Sequence, residues 1–150
     1  MNAMTTTTTV DRASHTITFQ RRLRAAREDV FDAWTHPEQL AAWWDPTGVP
    51  LAKCEIDARP GGAFRFENKG HSPPFAGVYQ VVDRPERLVF EVLGAVGTVA
   101  LEAEGEMTRM QVTIRCASAE HLEQFVKLGV DVNTERTLDN LVAQVEKRAA

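Results

Sequence analysis

The 150-residue sequence is poor in cysteine, in excess charge and in long apolar runs. Its two cysteines, Cys54 and Cys116, cannot form a disulfide framework, and their spacing matches no zinc motif. No stretch approaches the roughly 20 apolar residues of a transmembrane helix, and the N-terminus is Thr-rich, unlike a signal peptide. A net charge of -4 argues against a general phosphate-binding surface. We therefore expect a soluble, cytoplasmic protein with no membrane span and no nucleic-acid partner.

The length and composition predict one globular domain behind a short tail. The 43% hydrophobic content is ordinary for such a domain, and a chain of this size buries roughly two-thirds of its unfolded surface. Residues 1–13 contain five consecutive threonines and no apolar period. Because nothing in this segment offsets the entropy of ordering, we expect 1–13 to be a disordered tail and 14–150 to be the single domain.

Two short helices are predicted after a first strand. Alternation places Ile17 and Phe19 on one face of a strand over 15–23. The period then becomes helical in two runs on either side of His36-Pro37, and Pro37 suits the first turn of the second helix. The two runs are Val30, Phe31 and Trp34, and then Leu40, Trp43 and Trp44.

Six further strands are predicted from Leu51 onward, because apolar residues alternate between short turns rich in Gly, Pro and Asp. Their expected ranges are 51–58, 63–67, 75–83, 87–92, 98–104 and 108–116. Short connections between consecutive strands imply an antiparallel meander. With the first strand, this makes a seven-stranded sheet.

The C-terminal third carries two apolar stripes that one straight helix could not bury. The first stripe is centred on Phe125 and the second on Leu141, and at about 100° per residue their centres differ by roughly 150°. We therefore expect a break between Gly129 and Thr134, with Asp131 or Asn133 capping the second segment. A sheet with helices on one face is an α+β arrangement.

Residues for metal or catalytic chemistry are sparse. The four histidines are isolated, and His121, beside Glu120 and Glu123, is more typical of a solvated helix face than of a metal site. No nucleophile motif is present, so we predict no metal, no cofactor and no catalytic residue. Acid–base chemistry by a lone side chain stays open, although strand parity places Arg65 and Glu91 opposite their apolar neighbours. The candidates are Asp57, Arg65, His71, Tyr79 and Glu91.

Four segments resemble a known family. VFDAWTHPEQLAAWWDPTG, DARPGGAFRFE, GVYQVVDRPERLVFE and GVDVNTERTLDNLVAQV are similar to the activators of heat-shock-protein-90 ATPase homologues, of the START-like SRPBCC superfamily. The resemblance covers roughly Ile17 to Val145. It implies a helix-grip fold, in which a curved antiparallel sheet wraps around a long C-terminal helix and leaves an apolar cavity.

The cavity implied by the resemblance leaves three functions open. The first is binding of a small hydrophobic or amphipathic molecule, for transport, sensing or sequestration. The second is a cyclase or aromatase type of enzyme acting on an aromatic or polyketide-like substrate, which would need an ionisable group in the cavity. The third is a co-chaperone, although the eukaryotic activators carry an additional N-terminal domain and only a short tail precedes Ile17 here. A homodimer also stays open.

We rank binding first and expect aromatic side chains near the mouth of the grip to form the ligand wall. Trp34 and Phe31 are expected to pack in the core instead. Tyr79 is the only tyrosine and could orient a polar end of a ligand. The expected ligand-binding residues are Trp44, Phe66, Phe75, Tyr79, Phe90, Met110 and Phe125.

Overall fold

The computed structural model describes residues 5–70 and 73–149, which contain eight strands and four helices. The elements in chain order are β1 (Thr7–Asp11), β2 (Thr16–Leu23), α1 (Arg27–Thr35), α2 (Pro37–Trp43), β3 (Lys53–Ile56), β4 (Ala63–Glu67), β5 (Phe75–Asp83), β6 (Arg87–Val92), β7 (Ala95–Glu104), β8 (Met107–Arg115), α3 (Ala119–Lys127) and α4 (Val130–Ala149). The predicted α+β class is confirmed, with a curved antiparallel sheet and a long C-terminal helix. None of these helices is both long and apolar enough to cross a bilayer.

All strands belong to one sheet in the order β1-β2-β8-β7-β6-β5-β4-β3. Strands β3 to β8 follow one another as neighbours, so the predicted meander is confirmed. Strand β2 closes the meander by pairing with β8 along its whole length, from Thr16 opposite Arg115 to Leu23 opposite Thr108. The first strand of the predicted set therefore lies beside the last one.

Strand β1 corrects the prediction of seven strands and a disordered 1–13 segment. Residues Thr7–Asp11 pair antiparallel with β2, whereas residues 1–4 lie outside the described part of the chain. The threonines are held by α4, because Thr6 Oγ1 donates to Asp139 at 2.9 Å and Thr8 Oγ1 donates to Glu135. A backbone ladder and hydroxyl–carboxylate bonds thus stabilise a strand whose one apolar residue, Val10, is only partly buried against the core.

Helices α1 and α2 form the tandem pair that the sequence predicts, with Pro37 at the first position of α2. The backbone at His36 is extended, as expected before proline. Trp43 fastens the pair because its indole Nε1 donates to the carbonyl of Ala33 at 2.9 Å in a buried position. Trp34 packs edge-on against Trp43, with ring centroids 4.9 Å apart.

The C-terminal helical region is broken at Leu128 and Gly129, at the N-terminal boundary of the predicted interval from Gly129 to Thr134. Gly129 has φ +78, and a Cβ there would lie 3.3 Å from the Asn133 side-chain nitrogen. Asp131 and Asn133 lie within the first turn of α4, so neither caps it as we expected. The break lets α3 bury Leu122 while α4 buries Leu141 and its neighbours.

The core lies between one face of the sheet and the helices. Ile17 and Phe19 of β2, Leu40 of α2, and Leu138 and Leu141 of α4 are almost completely buried. Helix α4 contacts both α1 and α2, so the three helices cover the sheet together. A gap remains between the sheet and α4 at the end of α4 that is next to α3. The candidate site lies in this gap.

Candidate ligand-binding site

An apolar cavity of about 300 Å³ lies between the sheet and the bend from α3 to α4. We call it the outer cavity. The sheet contributes side chains from β5 to β8, and the helical side contributes α3, α4 and the segment after α2. The lining residues are Trp34, Trp44, Pro46, Asn68, Phe75, Phe90, Val92, Leu93, Ala95, Gly97, Val112, Ile114, Phe125, Leu128, Val130, Asn133, Thr134, Thr137 and Leu138.

The sheet wall of the outer cavity depends on a glycine. A Cβ added to Gly97 of β7 would lie 2.5 Å from the ring of Phe90 on the neighbouring strand. Gly97 pairs directly with Phe90 across the two strands. The missing side chain therefore lets the phenyl ring lie over β7 and form the floor of the cavity.

The helical wall depends on the bend at Gly129. Leu128 before the bend and Val130 after it both line the outer cavity, as does Phe125 of α3. Leu128 is 74% exposed, and Leu93 in the β6–β7 turn is 66% exposed. Two exposed leucines in the lining show that the cavity opens to solvent on this side.

Polar groups in the outer cavity are few and neutral. The Thr137 hydroxyl lies 3.2 Å from the carbonyl oxygen of Trp44 and 2.9 Å from that of Asn133. Asn68 donates to the Asp45 carboxylate at 2.7 Å. These bonds fix the segment after α2 against α4 and β4. No Asp, Glu, Lys, Arg or His of the described residues lines this cavity.

A smaller space of about 10 Å³ lies deeper, toward β4 and β5. We call it the inner recess. Its walls are mostly aromatic, and the Phe64 ring lies 5.1 Å from both the Phe66 and the Tyr79 rings, centroid to centroid. The residues around the recess are Trp34, Leu40, Trp44, Phe64, Phe66, Phe75, Tyr79, Leu88 and Phe90.

One residue of the recess wall, Trp34, carries a buried donor without an acceptor in the described part of the chain. Trp34 is 5% exposed, and its indole Nε1 has no hydrogen-bond partner among the described residues. An unpaired buried N–H is rare and costs free energy. The second polar group of the recess wall is the phenol of Tyr79, whose pKa is raised by burial and, to a smaller extent, by the nearby Cys54 and Asp57. At neutral pH this phenol is therefore an uncharged group.

The structure brings most of the expected wall residues together. Phe125 lines the outer cavity, and Phe66 and Tyr79 line the inner recess. Trp44, Phe75 and Phe90 border both spaces. Met110 is 1% exposed in the core and borders neither space.

Sequence reasoning missed several lining residues. Trp34 was expected in the core, and it is buried there, but it also borders both spaces. Leu93 and Leu128 lie at turns outside any apolar period. The available sequence signal for both of them was a leucine at a turn, outside the apolar pattern of its neighbours.

The acid–base candidates lie mostly outside the two spaces. Asp57 pairs with Arg59 at 2.9 Å, and Arg65 pairs with Glu67 at 2.8 Å on the exposed face of the sheet. Glu91 is also exposed. Tyr79 alone among the described candidates borders the recess, and His71 lies outside the described residues.

Metal-binding groups of three or more His, Cys, Asp or Glu side chains are absent among the described residues. His121 accepts a hydrogen bond from the Ala117 backbone N–H at Nδ1, at 3.0 Å, and Glu123 pairs with Arg12 at 2.7 Å. Both cysteines are free; Cys116 is buried and Cys54 is partly buried. Burial, with a smaller effect of the Glu38 charge, raises the pKa of Cys54 to about 11.

Solved structures share this fold at low sequence identity. A protein from Rhodobacter sphaeroides superposes with a TM-score of 0.83 at 21% identity, covering 93% of this chain and 97% of that one. A protein from Nitrosomonas europaea superposes with a TM-score of 0.81 at 20% identity, covering 89% of this chain and 95% of that one. A protein from Chromobacterium violaceum superposes with a TM-score of 0.72 at 26% identity, covering 87% of this chain and 97% of that one.

The family assignment follows from the sequence. The chain has no match among curated proteins. The model of the family described as activator of Hsp90 ATPase homolog 1-like protein matches residues 24–146, which span α1 to α4. The chain therefore belongs to this family, as its motifs indicated.

Proposed function

We propose that the protein binds a small hydrophobic or amphipathic molecule in the outer cavity, as a carrier, a sensor or a sequestering protein. The observation that carries this proposal is the cavity itself, which has apolar walls, a volume of about 300 Å³ and no charged lining residue among those described. Small-molecule sites typically combine such an apolar concavity with a few polar groups that fix orientation.

The enzyme alternative has less support. A cyclase or aromatase needs an ionisable group directed at the substrate, and in the described chain only Tyr79 and no carboxylate or histidine borders either space. Its raised pKa suits a neutral hydrogen-bonding group better than a proton-abstracting base. Binding without chemistry needs nothing further from these residues.

The co-chaperone alternative rests on the family alone, and fold and family do not determine function. It predicts a stable complex with a chaperone that does not depend on the outer cavity. Cavity binding predicts that ligand affinity falls when the outer cavity is filled. Variants that fill the cavity therefore distinguish the two hypotheses.

Titration with the neutral fluorescent probe N-phenyl-1-naphthylamine tests the proposal. Its emission should rise and saturate with wild-type protein, because the probe transfers from water to an apolar site. Thr134→Phe places a ring in the cavity wall and should weaken probe binding at least tenfold. Ala143→Phe adds the same ring to the same helix at an exposed position outside the lining and should leave probe binding unchanged.

Two results would contradict the proposal. One is the absence of a saturable signal with folded wild-type protein. The other is equal probe affinity in Thr134→Phe, Ala143→Phe and wild type, which would place the probe elsewhere on the surface. Native mass spectrometry of protein purified from its own host would then show whether any small molecule accompanies the chain.

A further inference from the structure

We propose that the inner recess receives a single uncharged oxygen of the ligand, a carbonyl or hydroxyl oxygen that accepts a hydrogen bond from the Trp34 indole N–H. This inference rests on the proposed function and specifies its ligand class: a neutral, largely aromatic or alicyclic molecule with a ketone, quinone or hydroxyl group at one end.

The first support is the contrast between two neighbouring indoles. Trp34 and Trp43 are both buried and pack edge-on against each other. The Trp43 N–H donates to the Ala33 carbonyl at 2.9 Å, whereas the Trp34 N–H has no acceptor among the described residues. Leaving a buried donor unpaired costs free energy. A ligand oxygen would recover that free energy on binding.

The second support is size. The recess has a volume of about 10 Å³, which is close to the roughly 10–15 Å³ of probe volume that one water molecule needs. One oxygen atom therefore fits, whereas the two oxygens of a carboxylate do not. The carbon skeleton must remain outside the recess.

The third support is charge. No Lys, Arg or His among the described residues borders the recess or the outer cavity. A ligand carboxylate placed there would be a buried charge without a counter-ion, which is strongly unfavourable. Tyr79, which also borders the recess, has a phenol that is uncharged at neutral pH, so it supplies no counter-charge for a carboxylate either.

The fourth support is continuity between the two spaces. Trp34, Trp44, Phe75 and Phe90 border both of them. Trp44, Phe75 and Phe90 are only partly buried, whereas the residues that line the recess alone are buried. The ligand skeleton can therefore occupy the outer cavity while its oxygen reaches the recess.

Displacement of N-phenyl-1-naphthylamine by two isosteric ligands tests this inference. Fluorene and 9-fluorenone have the same carbon skeleton, and only the ketone has an acceptor oxygen. Wild type should bind 9-fluorenone more tightly than fluorene. In Trp34→Phe, which keeps a ring but removes the N–H, the ratio of the 9-fluorenone affinity to the fluorene affinity should fall about tenfold, because the smaller ring changes the apolar wall for both ligands and only the ketone loses a donor. Trp44→Phe, which removes an indole from the same wall, should alter both affinities alike.

A second measurement needs no variant. The infrared carbonyl stretch of 9-fluorenone bound to wild type should lie at lower frequency than in a hydrocarbon solvent, because a donated hydrogen bond weakens the C=O bond. A carboxylate analogue, fluorene-2-carboxylate, should compete at least tenfold more weakly than the ketone.

The outcomes separate the two proposals. The oxygen subsite is wrong, and the binding function stands, in either of two cases. In the first, fluorene and 9-fluorenone both displace the probe and Trp34→Phe does not change the ratio of their affinities. In the second, the carboxylate binds most tightly of the three compounds. If the probe binds but neither fluorene nor 9-fluorenone displaces it, the proposed ligand class is wrong. If the probe itself does not bind, the binding function is wrong and this inference fails with it.

Discussion

The three tryptophans have different environments, and two of them form a matched pair for a stability test. Trp43→Phe would leave the buried Ala33 carbonyl without its donor, so the free energy of unfolding should fall by about 1–3 kcal/mol beyond the cost of the smaller ring. Trp34→Phe removes a donor that is already unpaired. In urea denaturation, Trp34→Phe should therefore lower the free energy of unfolding less than Trp43→Phe does, by about the same 1–3 kcal/mol.

Both substitutions shrink the same ring at buried positions, so each serves as the control for the other. Equal losses of stability would show that the Trp34 N–H has an acceptor in solution. That result would also remove the first support for the oxygen subsite.

Cys54 should be an unreactive thiol at neutral pH. Because burial raises its pKa from the usual 9.0 to about 11, the thiolate fraction at pH 8 should be about a hundredfold smaller than in the unfolded chain. Alkylation of native Cys116→Ser protein by iodoacetamide should therefore be slow at pH 8 and accelerate up to about pH 11. The same protein in urea is the control, and fast native alkylation at pH 8 would contradict the prediction.

The raised pKa of Cys54 also has a consequence for stability, whose sign is fixed by linkage. The folded state binds the thiol proton more tightly than the unfolded state does. The contribution is complete below pH 9 and is lost as the pH rises from about 9 to about 11. The urea midpoint of wild type should consequently fall more steeply over this interval than that of Cys54→Ser.

At the scale of elements, the bend between α3 and α4 connects backbone conformation to the cavity. Gly129→Ala should lower the free energy of unfolding by about 1–2 kcal/mol, because its φ of +78 is unfavourable for a residue with a Cβ. It should also weaken binding of N-phenyl-1-naphthylamine, since Leu128 and Val130 on either side of the bend line the outer cavity.

Gly105→Ala is the matched control for the bend. Gly105 has φ +64 in the β7–β8 turn, with no atom within 4 Å of an added Cβ, and it lies outside the cavity lining. It should cost similar stability and leave probe affinity unchanged. Equal probe affinity in both variants would show that the bend does not shape the cavity.

Much of the element order was predictable because local patterns determine it. The helical spacing of Val30, Phe31 and Trp34, the turn at Pro37 and the phase change after Phe125 all describe contacts within a few residues. Strand β1 was not predictable in this way. Its threonines are ordered by carboxylates of α4 more than 120 positions away, and periodicity contains no signal for such a pairing.

The site was predictable to a smaller extent, because a strand pattern gives the face of a residue but not its depth. Phe90 and Met110 both point to the helical side of the sheet, yet Phe90 borders the outer cavity and Met110 is enclosed by the core. Depth depends on the curvature of the sheet and on where α4 approaches it. The unpaired N–H of Trp34 likewise depends on three-dimensional packing and could not be predicted from its helical position.

At the scale of the whole molecule, the family fold leaves apolar surface unpacked between the sheet and the bend, and a ligand that covers this surface should stabilise the folded state. A ligand present at a hundred times its dissociation constant adds about 2.7 kcal/mol, or roughly 5–10 °C in melting temperature for a chain of this size. We therefore expect protein purified from its own host to melt at a lower temperature after it has been unfolded, extracted with organic solvent and refolded. Adding the extract, or saturating 9-fluorenone, should restore the higher value in wild type and not in Thr134→Phe. Refolded protein that melts at its original temperature, and that neither addition shifts, would show that the fold is complete without a ligand.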